Sequence, residues 1–312
     1  MTNDVRCEKL EASEWLIFAP VLTTTAGQTE VSTQMTPAGK EIAELSELSR
    51  PLLLARVAAE TDELKHAVNM RVVYQATLWS RRLVLLSRDQ KPPAVKDLDN
   101  AEREAALRSA GDLSFDGEAF KSWQAEHKLM LAAGESEIDF ARRVFIAIRK
   151  HFKYDYVPDM DRTPAAVCQA GKSDCGGLSN LFVAMLRSQG IPARTLAGRW
   201  AISADSNEKL NGHAYFQYHV KAEFFAAGVG WVPVDMASGI LHDRSREGLY
   251  YFGYDPGDFI TQHVDGNLEV DTIHFGKQQI VVLQRPAFWV TGKGTLDDLK
   301  VVEGWTVSKI QR

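Results

Sequence analysis

Cys175, His219 and Asp235 are the residues of this chain whose types and order can do covalent chemistry. A cysteine reacts as a thiolate, an imidazole takes and returns its proton, and a carboxylate fixes the ring's tautomer and orientation. Together they fit acyl transfer from a peptide or protein amide. The thiolate attacks the carbonyl carbon, a thioester forms, and the imidazolium protonates the leaving amine.

The position of Cys175 favours this chemistry before any partner is considered. Lys172-Ser173-Asp174-Cys175-Gly176-Gly177-Leu178 reads as a helix start with Asp174 as the cap. Unpaired N–H groups and partial positive charge at a helix start favour the thiolate. Leu178, Leu181, Phe182, Met185 and Leu186 recur at helical spacing, Gly190 closes the helix, and Ile191-Pro192 begins an extended segment. The Cys175 backbone N–H is one expected oxyanion donor, and Tyr154 or Tyr156 is the candidate for a second.

The segment His219 to Asp235 reads as two strands joined by a small-residue turn. A turn centred on Ala227 puts Phe225 opposite Val229, Glu223 opposite Trp231, Lys221 opposite Pro233 and His219 opposite Asp235. Directly opposed side chains lie roughly 4.5 to 5.5 Å apart at Cβ, within reach of an imidazole–carboxylate hydrogen bond. Pro233 has no N–H to give, which assigns its pair, and the His219 pair with it, to the closer non-hydrogen-bonded kind. Val220, Ala222, Phe224, Val232 and Val234 share the other face, the expected core side.

Each residue has a plainer competitor. His213, six residues before His219, lies about 20 Å away along an extended strand and is expected to be a loop histidine. Cys168 reads as structural. Asp235 has an alternative role in satisfying backbone amides at a strand end. Arg194 and Arg199 are assigned to structure or cleft electrostatics. A zinc site from Cys168, Cys175, His213 and His219 is the rival chemistry, but its cysteine spacing is wider than that of a zinc finger. Asp255 to Asp258 and His263 to Asp265 do not match a calcium loop. No metal and no cofactor are expected.

At these residues the chain resembles the transglutaminase-like superfamily, over roughly residues 130 to 240. The resemblance is carried by Asp174-Cys175-Gly176-Gly177 with its apolar helix, by Arg187-Ser188-Gln189-Gly190-Ile191-Pro192-Ala193-Arg194, and by Gly230-Trp231-Val232-Pro233-Val234-Asp235. It implies a rearranged papain-type core with Cys, His and Asp in that order. After the histidine, where the family usually has Ala-Trp or a similar pair, this chain has Val220-Lys221. The family includes cross-linking enzymes, deamidases, peptidases and inactive binding versions. A cysteine peptidase or amidase is the expectation, with a protein-glutamine transglutaminase or deamidase, or a non-catalytic binding module, as alternatives.

The elements expected to position these residues follow from pattern. Trp15 to Val21, Thr29 to Gln34, Leu52 to Ala59, Asn69 to Leu78 and Arg82 to Leu86 read as strands of a β-sandwich. Lys91-Pro92-Pro93 marks a boundary, and Lys96 to Arg108 reads as a connecting helix. Phe120, Trp123, His127 and Met130 have helical spacing, and Ser136 caps a helix carrying Phe140, Val144, Phe145 and Ile148 to near His151. The aromatic stretch Tyr250 to Tyr254 reads as core, and Gln278 to Leu283 and Phe288 to Val290 as further strands of the catalytic sheet. The expected fold class is α+β. An all-β sandwich domain at 1–95 precedes a papain-like transglutaminase core at 96–312, whose cysteine helix packs on an antiparallel sheet.

The chain of 312 residues is 45% hydrophobic, enough for a substantial core, and its 36 Lys and Arg against 41 Asp and Glu give a net charge of −5. Without a long basic block, nucleic acid is not an expected partner; a peptide or protein substrate is. Three cysteines make no disulfide framework. Met1 to Cys7 lacks an apolar signal core and no run approaches a membrane span. The chain therefore reads as soluble, cytoplasmic as it stands or exported if a leader was removed.

Overall fold

Thr2–Arg6 and the first residues of Leu10–Pro20 alternate exposed and buried positions, the period-two pattern of strands with one face in a core. The computed structural model describes residues 1–87, 89–202, 209–210, 213–214 and 217–310. Its first unit comprises Met1–Leu78, Ala197–Tyr218 and Phe259–Arg312; its second comprises Trp79–Leu196 and His219–Asp258. The expected division after residue 95 is linear, whereas each unit gathers separated segments.

In the first unit, two four-stranded antiparallel sheets form the sandwich. One has the order Lys300–Gly304, Thr2–Arg6, Ala67–Leu78, Gln28–Thr36; the other Ala287–Gly294, Leu10–Pro20, Pro51–Ala58, Lys40–Ala43. Val5, Met35, Val68 and Met70 from the first sheet share a core with Trp15, Ile17 and Ala55 from the second. The other face of the second sheet is covered too, where Leu16, Phe18 and Leu52 pack with Leu268, Val270 and Leu283.

This double burial corrects the expectation for the last strands. Phe288 to Val290 does not join the catalytic sheet; it lies in Ala287–Gly294 against Leu10–Pro20. Adjacent aromatics on opposite faces need two apolar surfaces. Phe288 meets Trp15 at 5.8 Å and Trp289 meets Phe18 at 5.5 Å between ring centres. Lys277–Ile280, likewise, forms a hairpin with Leu268–Asp271. The expected strand Arg82 to Leu86 shrinks to Arg81–Arg82, and Leu85 is fully exposed.

In the second unit, Ser136 caps Glu137–His151 by accepting from the Asp139 N–H, and Phe140, Val144, Phe145 and Ile148 are buried as their spacing predicts. The helix Cys175–Arg187 is buried at every position from Gly176 to Arg187. Its Phe182 packs on Phe224 of the strand Tyr218–Ala226, with 6.3 Å between ring centres. That strand pairs antiparallel with Gly230–Val234.

The hairpin register differs from expectation by two residues. Ala222 faces Val234, Glu223 faces Pro233, and Phe225 faces Trp231, so the turn is centred on Gly228 rather than Ala227. Gly228 has φ +73 and Gly230 φ +94, left-handed conformations that glycine adopts without strain. These two glycines hold the turn one position later. A shift of two keeps every side chain on its expected face. Asp235, however, is no longer opposite His219. Nor is one face of the strand polar and open: Lys221 and Glu223 are as buried as Ala222 and Phe224.

Phe182→Ala removes a fully buried ring between the cysteine helix and the histidine strand. Urea denaturation is expected to show a loss of about 3–5 kcal/mol. A loss under about 1 kcal/mol would mean that this contact does not hold helix to sheet.

Candidate active site

Cys175 is the first residue of its helix and is half-buried. Asp174 caps that helix, its Oδ1 accepting from the Gly177 N–H at 3.1 Å. The same carboxylate is gripped by Arg162, whose Nε and Nη2 donate to Oδ2 at 2.9 and 2.7 Å. Arg162 Nη1 donates to the Met160 carbonyl at 3.1 Å, and Asn180 of the cysteine helix donates to the Arg162 carbonyl at 3.1 Å. Burial opposes the charge on Arg162, but Asp174 outweighs it and holds its pKa above the usual value.

His219 is buried, and its Nε2 lies 2.8 Å from Asp235 Oδ2. Cys175 also lies near enough to act on the charge of the ring. Burial alone would drive the ring neutral. The Asp235 carboxylate, then Cys175, reverse that and raise its pKa from 6.5 to about 9. Asp235 is buried as well; His219 first, then Lys221 and the Ser238 N–H, lower its pKa from 3.8 to about 2 against that burial.

Asp235 does two jobs. It caps the helix Met236–Leu241, with Oδ1 accepting from the Ser238 N–H at 2.9 Å. Oδ2 accepts from the Ser238 hydroxyl at 2.9 Å and faces the imidazole. Its own N–H donates to the Tyr251 carbonyl at 3.0 Å, so the residue has left the hairpin ladder. The expected backbone-satisfying contact and the bond to the imidazole coexist in one carboxylate, although the expected position opposite His219 does not hold.

The remaining candidates divide. Tyr154 lies in a two-residue strand beside Ser173 and packs against the unit's core, whereas Tyr156 is near enough to Arg162 to act on its charge. Cys168 is a half-buried thiol whose pKa burial raises to about 12. The backbone of His213 pairs with Leu210, and its side chain, with the rival zinc set that needs it, lies outside the described residues. Arg194 ion-pairs with Glu223 at 2.6 Å and stacks on Trp231 at 3.9 Å. Arg199 ion-pairs with Glu303 in the first unit.

Sequence reasoning passed over Arg162, Ser238 and the Lys221–Asp255 contact at 3.4 Å. Thr163-Pro164 marks a helix start just after Arg162, and Thr163 does cap Pro164–Ala170. That signal locates a turn and says nothing of a bond to Asp174, 12 residues on.

Residues 127–236 match the model of the transglutaminase-like superfamily. An uncharacterised protein of Haemophilus influenzae is 36% identical over 78 residues, which span 21% of this chain and 21% of that protein. The match thus takes in about a fifth of the curated relative's length. Among solved structures, a candidate cysteine protease from Cytophaga hutchinsonii is 14% identical, with TM-score 0.48 over 99% of this chain and 92% of that chain. The periplasmic domain of TgpA from Pseudomonas aeruginosa is 15% identical, with TM-score 0.38 over 81% and 92%. Residues 127–236 form a transglutaminase-like core within a mixed fold whose sheets are largely antiparallel.

The raised pKa of His219 carries a signed consequence for stability. Between 6.5 and about 9 the folded chain holds a proton that the unfolded chain has released. The stabilisation is complete below the unfolded value and fades as pH rises through that window. Urea midpoints are expected to fall between about pH 6.5 and about 9, and His219→Gln to remove that part of the slope. Midpoints that rise across the window would mean that the ring is buried neutral.

Proposed function

We propose that the transglutaminase-like core at residues 127–236 performs thiol-dependent acyl transfer on peptide or protein amides, with Cys175 as nucleophile, His219 as acid and base, and Asp235 as the residue that orients the ring. One observation carries this reading: a half-buried cysteine at a capped helix start acts on the charge of a buried histidine whose Nε2 lies 2.8 Å from a buried carboxylate. Burial of the histidine and aspartate is hard to explain by packing alone, since apolar residues would cost less there.

In the resting state the Cys175 proton sits on His219, giving a thiolate–imidazolium pair. The thiolate attacks the amide carbonyl carbon, and the carbonyl π electrons move to oxygen. The Cys175 N–H at the helix start offers one donor to that oxyanion, and Tyr156 is the proposed second. As the tetrahedral species collapses, the C–N bond breaks and His219 protonates the leaving amine. Water then attacks the thioester carbonyl as His219 takes its proton, the C–S bond breaks, and sulfur leaves as the thiolate, which restores the resting pair. Hydrolysis by a peptidase or amidase is the first reading, and transfer to an amine follows the same path with a different acceptor.

The rate of Cys175 alkylation by iodoacetamide against pH, with mass mapping of the labelled peptide, tests the nucleophile. Labelling that persists below pH about 7 and slows in His219→Ala is expected. An ordinary thiol profile would favour a non-catalytic binding module. On a panel of peptide amides with and without added amine, Cys175→Ala is expected to abolish turnover and His219→Ala to lower it at least about 100-fold. Asp235→Asn should cost less, and Cys168→Ala should change little. Loss from His213→Ala with none from His219→Ala would overturn the assignment of the base.

A further inference from the structure

The cap that starts the cysteine helix poses an electrostatic problem. Asp174 is an almost fully buried carboxylate on the residue next to Cys175, and a buried anion there disfavours a thiolate. The helix needs the cap, because the Gly177 N–H is buried and has no solvent to bond. Capping and thiolate formation therefore conflict unless the anion is cancelled.

Arg162 lies where it cancels it. Two of its nitrogens bond the Asp174 carboxylate at 2.9 and 2.7 Å, and its side chain lies across the first helical turn. A Cβ built on Gly176 would sit 3.1 Å from Arg162 Cδ and 3.5 Å from Nε. Position 176 is thus a glycine where a side chain would press on the Arg162 Cδ. The other side of Arg162 is tied down by the Met160 carbonyl, and its own carbonyl by Asn180 of the same helix.

We infer that Arg162 is an electrostatic positioning residue for Cys175, neutralising the Asp174 cap and fixing a positive charge beside the sulfur so that the helix start can be both capped and thiolate-bearing. The inference rests on the reading of Cys175 as nucleophile. His219, bonded to Asp235, is the other charged group acting with Cys175, and Lys221 acts on that aspartate. Around Arg162 stand Asp174, Tyr156, Asp112 and Asp161. The Asp112 carboxyl is held above its usual pKa by burial first, then by Asp161.

Three variants of the full chain, each labelled with iodoacetamide across pH and mapped at Cys175, test this. Arg162→Met is expected to move the labelling midpoint up by about 1 pH unit, the order expected when one opposite charge near an ionising group is lost. Asp174→Asn keeps a capping oxygen and removes the anion, so its midpoint is expected to fall. The double variant is expected to return towards wild type. A purely structural Arg162 would lower the melting temperature in Arg162→Met and leave the midpoint in place, which overturns the inference. If that variant does not fold, Asp174→Asn decides: an unchanged or raised midpoint overturns it. An ordinary thiol profile in the wild-type chain instead overturns the nucleophile reading, so the two failures are distinguishable.

Discussion

Burial of every position from Gly176 to Arg187 in the cysteine helix is the constraint on which the site depends. A helix in a core cannot leave its terminal groups or polar side chains to water, so each must find a partner within the protein. Ser179 donates to the Val220 carbonyl, tying the helix directly to the residue after His219. Arg187 donates to the carbonyls of Ala193 and Arg108 at the other end. Asp174 and Asn180 close the first turns through Gly177 and Arg162. Cys175, the first residue and half-buried, stands where this bonding ends and the surface begins. The nucleophile is positioned by bonds made for helix stability.

The histidine strand is built under the same constraint. Its core face carries Val220, Ala222 and Phe224, yet His219, Lys221 and Glu223 on the opposite face are buried too. Each of these polar groups has an opposite charge or a hydrogen-bonding partner in the second unit. Glu223 takes Arg81 and Arg194, Lys221 takes Asp255, and His219 takes Asp235. A buried ion pair is weak evidence for stability, because desolvation offsets most of the attraction. Three in a row on one strand face are better understood as fixing position. They allow this strand one register and one side-chain order.

What could be read from the sequence was whatever local periodicity records. The cysteine helix, its Asp174 cap, the Ser136 cap and the core stripe of Glu137–His151 all follow from spacing of 3 or 4 residues. The faces of the hairpin followed from parity, and parity survives a shift of two. The register itself did not, because it depends on which small residues take positive φ, and Ala227, Gly228 and Gly230 offer two centres. The sheet that the last strands join differs from expectation for a related reason. A continuous apolar run such as Ala287 to Val290 states that the strand has two apolar faces; it does not name its partner. Arg162 was invisible because an ion pair across 12 residues leaves no periodic trace.

The two-residue shift explains how Asp235 comes to reach His219. In the register first expected, the aspartate would be a ladder residue directly across from the histidine, its carboxylate aimed only by the pleat. In the observed register, strand pairing ends with Val234, and Asp235 turns out of the ladder to cap Met236–Leu241. Capping fixes the carboxylate through the Ser238 N–H and hydroxyl before the imidazole is considered. A diagonal neighbour in a ladder stands about 7–8 Å away, too far for a hydrogen bond unless the side chain is steered. Here the helix start does the steering, and the carboxylate closes to 2.8 Å. Both ends of the site thus use one device, an aspartate at a helix N-terminus. Asp174 satisfies a backbone donor beside the thiol, and Asp235 satisfies one while holding the ring.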